Sequence, residues 1–208
     1  MIYCKRDGSI PSGFELVTHP ISSTQFNILF NSEHLLQLAK LGGRSWDSSE
    51  SCGIHIHFSK KAFTKLHLYT FTKLILENEE FFNQFAGRST HYAKYTYSER
   101  SEESLPVAYA KGKSNSDRYN AVNNQNKNTI EFRIFKASLN PKRLRNIIEL
   151  CNALYDYTKM ITVKNIVDKK LSITDFIVYV RANDIKYPEL KTHKQFITEQ
   201  LKKEMEMI

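Results

Sequence analysis

Glu15, the pair His55 and His57, and the pair Glu131 and Arg133 are the side chains of this 208-residue chain whose types and spacing best suit chemistry. Each belongs to a stretch in which polar and apolar residues alternate, the pattern of a half-buried strand. In Gly13-Phe14-Glu15-Leu16-Val17-Thr18-His19, stopped by Pro20, Glu15 and Val17 share one face. In Cys52-Gly53-Ile54-His55-Ile56-His57-Phe58 the two histidines face away from Ile54, Ile56 and Phe58. In Asn128-Thr129-Ile130-Glu131-Phe132-Arg133-Ile134-Phe135, Glu131 and Arg133 face together, opposite Ile130, Phe132 and Ile134. A solvated sheet face accounts for any one such strand. It accounts badly for imidazoles at two alternate positions, because histidine is common as a metal ligand or phosphate donor and uncommon as a surface filler. Carboxylates from two strands plus an imidazole suit a hard ion such as Mg2+ or Mn2+, and Arg133 would reach a phosphate held by the same ion. The chemistry implied is phosphoryl activation. Transfer of a phosphoryl group from ATP to a carboxylate gives an acyl phosphate, from which an amine displaces phosphate.

Those residues need elements to hold them. The spacing of Ile28, Leu35, Leu38 and Leu41 predicts a helix over about 24–41, with Gly42-Gly43 as its stop. A second helix is expected from Lys61 to Phe85. After Asn140-Pro141 an amphipathic helix should run from Lys142 to about Tyr157, burying Leu144, Ile147, Ile148, Cys151, Leu154 and Tyr155. Residues 172–181 and 193–204 read as two more. Strands separated by long helices give an α+β class, with an antiparallel or mixed sheet and helices packed on one face. No linker can be placed, so residues 1–208 are expected to form a single domain, helical from about 142, with Ser98 to Asp117 the least ordered-looking stretch.

Composition narrows the function classes. With 41% hydrophobic and 12% aromatic residues, the chain can bury a sizeable core without disulfides. Its three cysteines, Cys4, Cys52 and Cys151, are far apart and lack zinc-site spacing, which favours a reducing, cytoplasmic setting and argues against a thiol mechanism. No apolar N-terminal region and no run of about 18 apolar residues is present, so no membrane association is expected. The net charge of +8 raises nucleic acid as a partner, but the lysines are scattered and no basic stripe alternates with aromatics. A solvated basic surface, or a site for ATP phosphates, explains the same charge.

Cys52-Gly53-Ile54-His55-Ile56-His57-Phe58-Ser59 resembles the glycine-x-His-x-His segment of glutamine synthetases and of their small relatives, the amidoligase family. Thr129-Ile130-Glu131-Phe132-Arg133-Ile134-Phe135, followed by Ser138-Leu139-Asn140 and a long helix, resembles the Glu-x-Arg strand of that superfamily and the helix after it. Asp7-Gly8-Ser9-Ile10 with Gly13-Phe14-Glu15-Leu16-Val17 is similar to a further amidoligase stretch, as are Phe85-Ala86-Gly87-Arg88 and Arg118-Tyr119-Asn120-Ala121-Val122-Asn123. The matches keep the family's order over roughly residues 3 to 158.

The resemblance implies a sheet of the glutamine-synthetase catalytic type. It also implies an ATP-dependent and Mg2+- or Mn2+-dependent ligase joining an amino-acid or peptide carboxylate to an amine. Carried over residue by residue, Asp7 and Glu15 would bind one metal ion, and His55 and Glu131 the second. His57, Arg133 and Arg118 would contact ATP phosphates, with Glu131, Arg133 and His57 the catalytic set. Asp7 as a cap on the Gly8 turn, Arg118 as a partner of a nearby carboxylate, and Arg88 as a structural or helix-end residue remain the competing readings. Family members usually carry a Glu-x-Glu strand upstream of the Asp-Gly-Ser stretch. The sequence beginning Met1-Ile2-Tyr3 holds no such pair, so each metal site is expected to be one carboxylate short. Three explanations compete: the true start lies upstream, another chain supplies the acids, or the enzyme is degenerate, and the last gives the alternative function of a catalytically silent amidoligase-like domain whose basic surface binds an acidic protein or nucleic acid.

Overall fold

The alternating stretches become strands close to their expected positions. In the computed structural model, which describes residues 2–6, 8, 13–30, 32–45, 52–88, 93–95, 104–113 and 118–191, β1 (Ile2–Lys5) pairs antiparallel with β2 (Glu15–Thr18). A separate three-stranded sheet contains β3 (Gly53–Ser59), β4 (Val122–Asn123) and β5 (Thr129–Lys136), all antiparallel, with β5 in the centre. The class is α+β, and among the described residues the strands fall in two small antiparallel sheets rather than one continuous sheet.

A bulge interrupts the alternation of β5. Ile56 is opposite Phe132 and Ile54 is opposite Phe135, so Arg133 and Ile134 together stand against His55. One extra residue in a strand bends it and re-aims the side chains beyond it. Ile134 and Phe135 are consequently both buried, where strict alternation would have sent Phe135 to the opposite face.

Two expected helices are each divided. The first becomes α1 (Ser23–Leu29) and α2 (Ser32–Lys40), because Phe30 takes an extended conformation that ends α1. The second begins only at α3 (Lys65–Leu76), where the Thr64 hydroxyl accepts the His67 N–H at 3.1 Å as an N-cap. It breaks before α4 (Glu79–Ala86), where the Asn78 side chain donates to the Leu74 carbonyl at 2.7 Å and closes the last turn of α3. Part of the stretch read as least ordered is α5 (Leu105–Ala110), whose buried Tyr109 donates its hydroxyl to the Val122 carbonyl at 2.9 Å. Then come α6 (Pro141–Met160), α7 (Val163–Val167), α8 (Ile173–Ala182) and α9 (Pro188–Lys191). The Asn140 side chain caps α6 and Pro141 opens it, as the residue types predict. The helix expected over 193–204 lies outside the described residues. Among the described residues no helix is long and apolar enough to cross a membrane.

The core lies on the apolar face of the three-stranded sheet. Phe132 is fully buried, with the rings of Phe71, Phe82 and Phe135 edge-on at 6.1, 6.2 and 5.0 Å. Helices α3 and α4 thus cover this face, and α6 packs against α3 and, through Tyr155, against Phe58 of β3. That arrangement leaves the opposite face of the sheet to Glu131, Arg133 and the two histidines.

Where α3 meets α6, His67 is buried between Phe63 and Tyr155, with Nε2 3.1 Å from the Tyr155 carbonyl oxygen. Burial drives its pKa down to about 4, and the hydrogen bond to Tyr155 offsets only part of that. Below the ordinary value of 6.5 the unfolded chain takes up a proton that the folded chain refuses until about 4. Stability should therefore fall as pH drops through this window, by up to about 3 kcal/mol from this one group. Urea midpoints measured from pH 7 to pH 4 check this, and His67→Phe should flatten that part of the profile.

Candidate functional site

Glu131 is the hub of the polar face. Its side chain is only 7% exposed, yet it faces two imidazoles and a guanidinium. Oε1 accepts from Arg133 Nη1 at 2.8 Å and lies 3.1 Å from His55 Nδ1 and 4.0 Å from His57 Nε2. Oε2 accepts from the Asn123 amide at 2.8 Å. Burial alone would raise the carboxyl pKa, but the His55 hydrogen bond, the Arg133 charge and the Asn123 amide outweigh it and leave the group at about 2. Glu131 is thus a permanent anion at neutral pH. The local cause of the cluster is register: His57 is directly opposite Glu131, and the bulge brings Arg133 alongside His55.

His57 is the exposed member, with 46% of its side chain in contact with solvent. Thr129 Oγ1, 3.1 Å from Nδ1, fixes its ring. Its pKa lies below the ordinary histidine value, chiefly through burial; Glu131 and Glu15 pull the other way, while His55 and Arg133 add to the lowering. Glu15, the first residue of β2 in the separate two-stranded sheet, is near enough to His57 to favour its protonated form. Arg118, read from sequence as a phosphate contact, is exposed at the edge. It donates to the Tyr119 hydroxyl at 2.8 Å and lies 4.9 Å from the centre of that ring, on which Arg133 also rests at 5.6 Å. Asp7 lies outside the described residues. The structure therefore gathers His55, His57, Glu131 and Arg133, sets Glu15 within electrostatic reach, and leaves Arg118 at the rim.

Arg88, expected to be a structural helix-end residue, is buried against the site. Gly87, in the left-handed region at φ 64°, ends α4 and turns the chain inward. Arg143 of α6 holds that helix end by donating to the carbonyls of Phe85 and Ala86. Arg88 Nη1 then donates to the Arg133 carbonyl at 2.9 Å and meets His55 Nε2 at 3.3 Å. Asn123 was also missed from sequence: it sits in a two-residue strand too short to show a period, although it closes a stretch with family resemblance.

The family model described as "Putative amidoligase enzyme" matches residues 2–155. The chain belongs to the amidoligase family. No curated protein and no solved structure matches it. The matched region contains every residue of the cluster around Glu131, and it ends within α6.

Among the described residues, no group of three or more His, Cys, Asp or Glu side chains is placed to hold a metal ion. What is present is a pair, His55 Nδ1 and Glu131 Oε1, at 3.1 Å. That separation is what two ligands about 2.1 Å from one ion, at a right angle, would show. Mg2+ commonly takes only one or two protein carboxylates and completes its shell with water and substrate phosphates. The pair fits one edge of such a shell, and Glu131 and His55 are the residues that would hold the ion.

Proposed function

We propose that this amidoligase joins a carboxylate to an amine at the expense of ATP, on the polar face of the three-stranded sheet. The observation that carries the reading is the convergence of His55, His57 and Arg133 on the buried Glu131 anion, with Arg88 behind His55. ATP would supply the phosphoryl group, and a divalent ion would neutralise charge during its transfer. The carboxylate oxygen of the substrate bonds to the γ-phosphorus and ADP leaves. The amine nitrogen then bonds to the carbonyl carbon, phosphate departs and a proton is released.

The protein's share is positioning and charge. Glu131 holds Arg133 in a fixed orientation, so its remaining N–H groups are pre-organised for phosphate oxygens. Exposed His57, braced by Thr129, offers a second contact to the same anion. Tyr119 carries both Arg133 and Arg118 on its ring and would keep Arg118 near the incoming nucleotide. Amino-acid or peptide carboxylates are the substrate class that the family suggests.

A melting experiment tests the reading. Saturating ATP with Mg2+ or Mn2+ at one hundred times Kd should stabilise the fold by about 2.7 kcal/mol. For a chain of this size that is a rise of roughly 5–10 °C in Tm. Glu131→Ala should abolish the rise, and His57→Ala, at an exposed position, should reduce it while leaving the nucleotide-free Tm unchanged. A wild-type Tm that ignores ATP and metal would instead favour the catalytically silent binding domain.

A further inference from the structure

Arg88 occupies the side of His55 that points away from Glu131. Its guanidinium lies in a slot floored by Gly53: a Cβ placed there would fall 2.1 Å from Nη1 and 2.4 Å from Cζ. Only a glycine permits that approach. From this slot Arg88 Nη1 reaches both the Arg133 carbonyl oxygen and His55 Nε2.

A guanidinium donates hydrogen bonds and cannot accept them. Nε2 must therefore present its lone pair to Arg88, and the ring proton then sits on Nδ1, where the Glu131 carboxylate accepts it at 3.1 Å. The two contacts select the same tautomer. They also use both ring nitrogens. A metal ion bound to Nε2 would need the space and the lone pair that Arg88 now holds. A metal ion bound to Nδ1 would move the proton to Nε2, where it would face an N–H of Arg88. Either route sets the incoming cation against the guanidinium.

We propose that Arg88 is a resident cation that keeps His55 in its Nδ1–H form and bars divalent metal from the ring until it withdraws from the Gly53 slot. Metal loading of the site is thereby made conditional on movement of a residue that the α4 terminus and Arg143 hold in place. The proposal rests on the metal-ligand role given to His55 above, and it makes Arg88 a positioning residue.

Two measurements test it with Mn2+ alone, without nucleotide. In the metal-free wild-type chain, imidazole 15N shifts should report His55 as the Nδ1–H tautomer; an Nε2–H tautomer overturns the proposal without any variant being made. In Arg88→Met, which keeps the slot filled with an apolar chain, Mn2+ affinity by calorimetry should rise on the order of tenfold. Paramagnetic broadening of the His55 ring should then begin at correspondingly lower Mn2+, and adding His55→Ala should remove the gain. Equal or weaker Mn2+ binding in Arg88→Met overturns the proposal. Because neither measurement contains ATP, failure of the ligase reading in the melting experiment leaves both results interpretable.

Discussion

Glu131→Ala is expected to destabilise the fold by about 3–5 kcal/mol, seen as a lower urea midpoint with an unchanged slope. The magnitude reflects the groups left behind. Arg133 has a side chain only 12% exposed, and removal of its partner strands a guanidinium in a site shaped for an ion pair. His55 and Asn123 lose their acceptor at the same time. Adding Arg133→Ala to Glu131→Ala should therefore cost less than the sum of the single changes, since it removes the stranded charge. The pH dependence has a definite sign. The carboxyl ionises at about 2 in the fold against an ordinary 4.5, so its contribution is complete above 4.5 and is lost as pH falls toward 2. The stability gap between wild type and Glu131→Gln should close over that window. A gap that stays constant down to pH 2 would show that Glu131 is not held as an ion.

Phe132→Ala should cost a similar amount, about 3–5 kcal/mol, for a different physical reason. The ring is at zero exposure, surrounded by Phe71, Phe82 and Phe135 from three elements, and none of these can collapse into the space without disturbing another. Phe132→Leu, which keeps most of the volume, should cost less than about 1.5 kcal/mol. Chemical denaturation of the pair separates lost volume from lost strand pairing. Phe132 and Glu131 are adjacent on β5 with opposite orientation, so the alanine variant should also loosen the polar face. The leucine variant should leave the ATP-induced rise in Tm intact.

Much of this arrangement could be read from residue order. β3 and β5 come from clean alternation, because a sheet with one apolar face and one polar face imprints a period of two on the chain. The juxtaposition of Glu131 with Arg133, and of His55 with His57, comes from the same period. The bulge left no such mark, since an extra residue between Arg133 and Phe135 is set by pairing with a strand some 75 residues earlier in the chain. Arg88 follows the end of α4, but its contact with His55 is hidden from residue order for a related reason. Its role depends on Gly53, 35 residues before it in sequence, offering bare backbone to a guanidinium, and neither residue announces that alone. The divided helices show a third limit. Apolar spacing continued across Phe30 and across Asn78, but the breaks come from backbone conformation and a side-chain bond to a carbonyl, to which spacing is blind.

The middle and last turns of α6 tie the matched region to the C-terminal helices. Glu149 receives the backbone N–H groups of Glu189 and Leu190 at 2.8 and 3.0 Å, and Asp156 accepts from the Tyr187 hydroxyl at 2.7 Å. The last helix of the amidoligase segment is thus the docking post for α9 and the turn before it. Trimming the protein at residue 155 would sever that helix in mid-course and discard the Asp156 anchor. Deletion mapping that respects the family boundary would then report a folding defect where none of the chemistry had been touched.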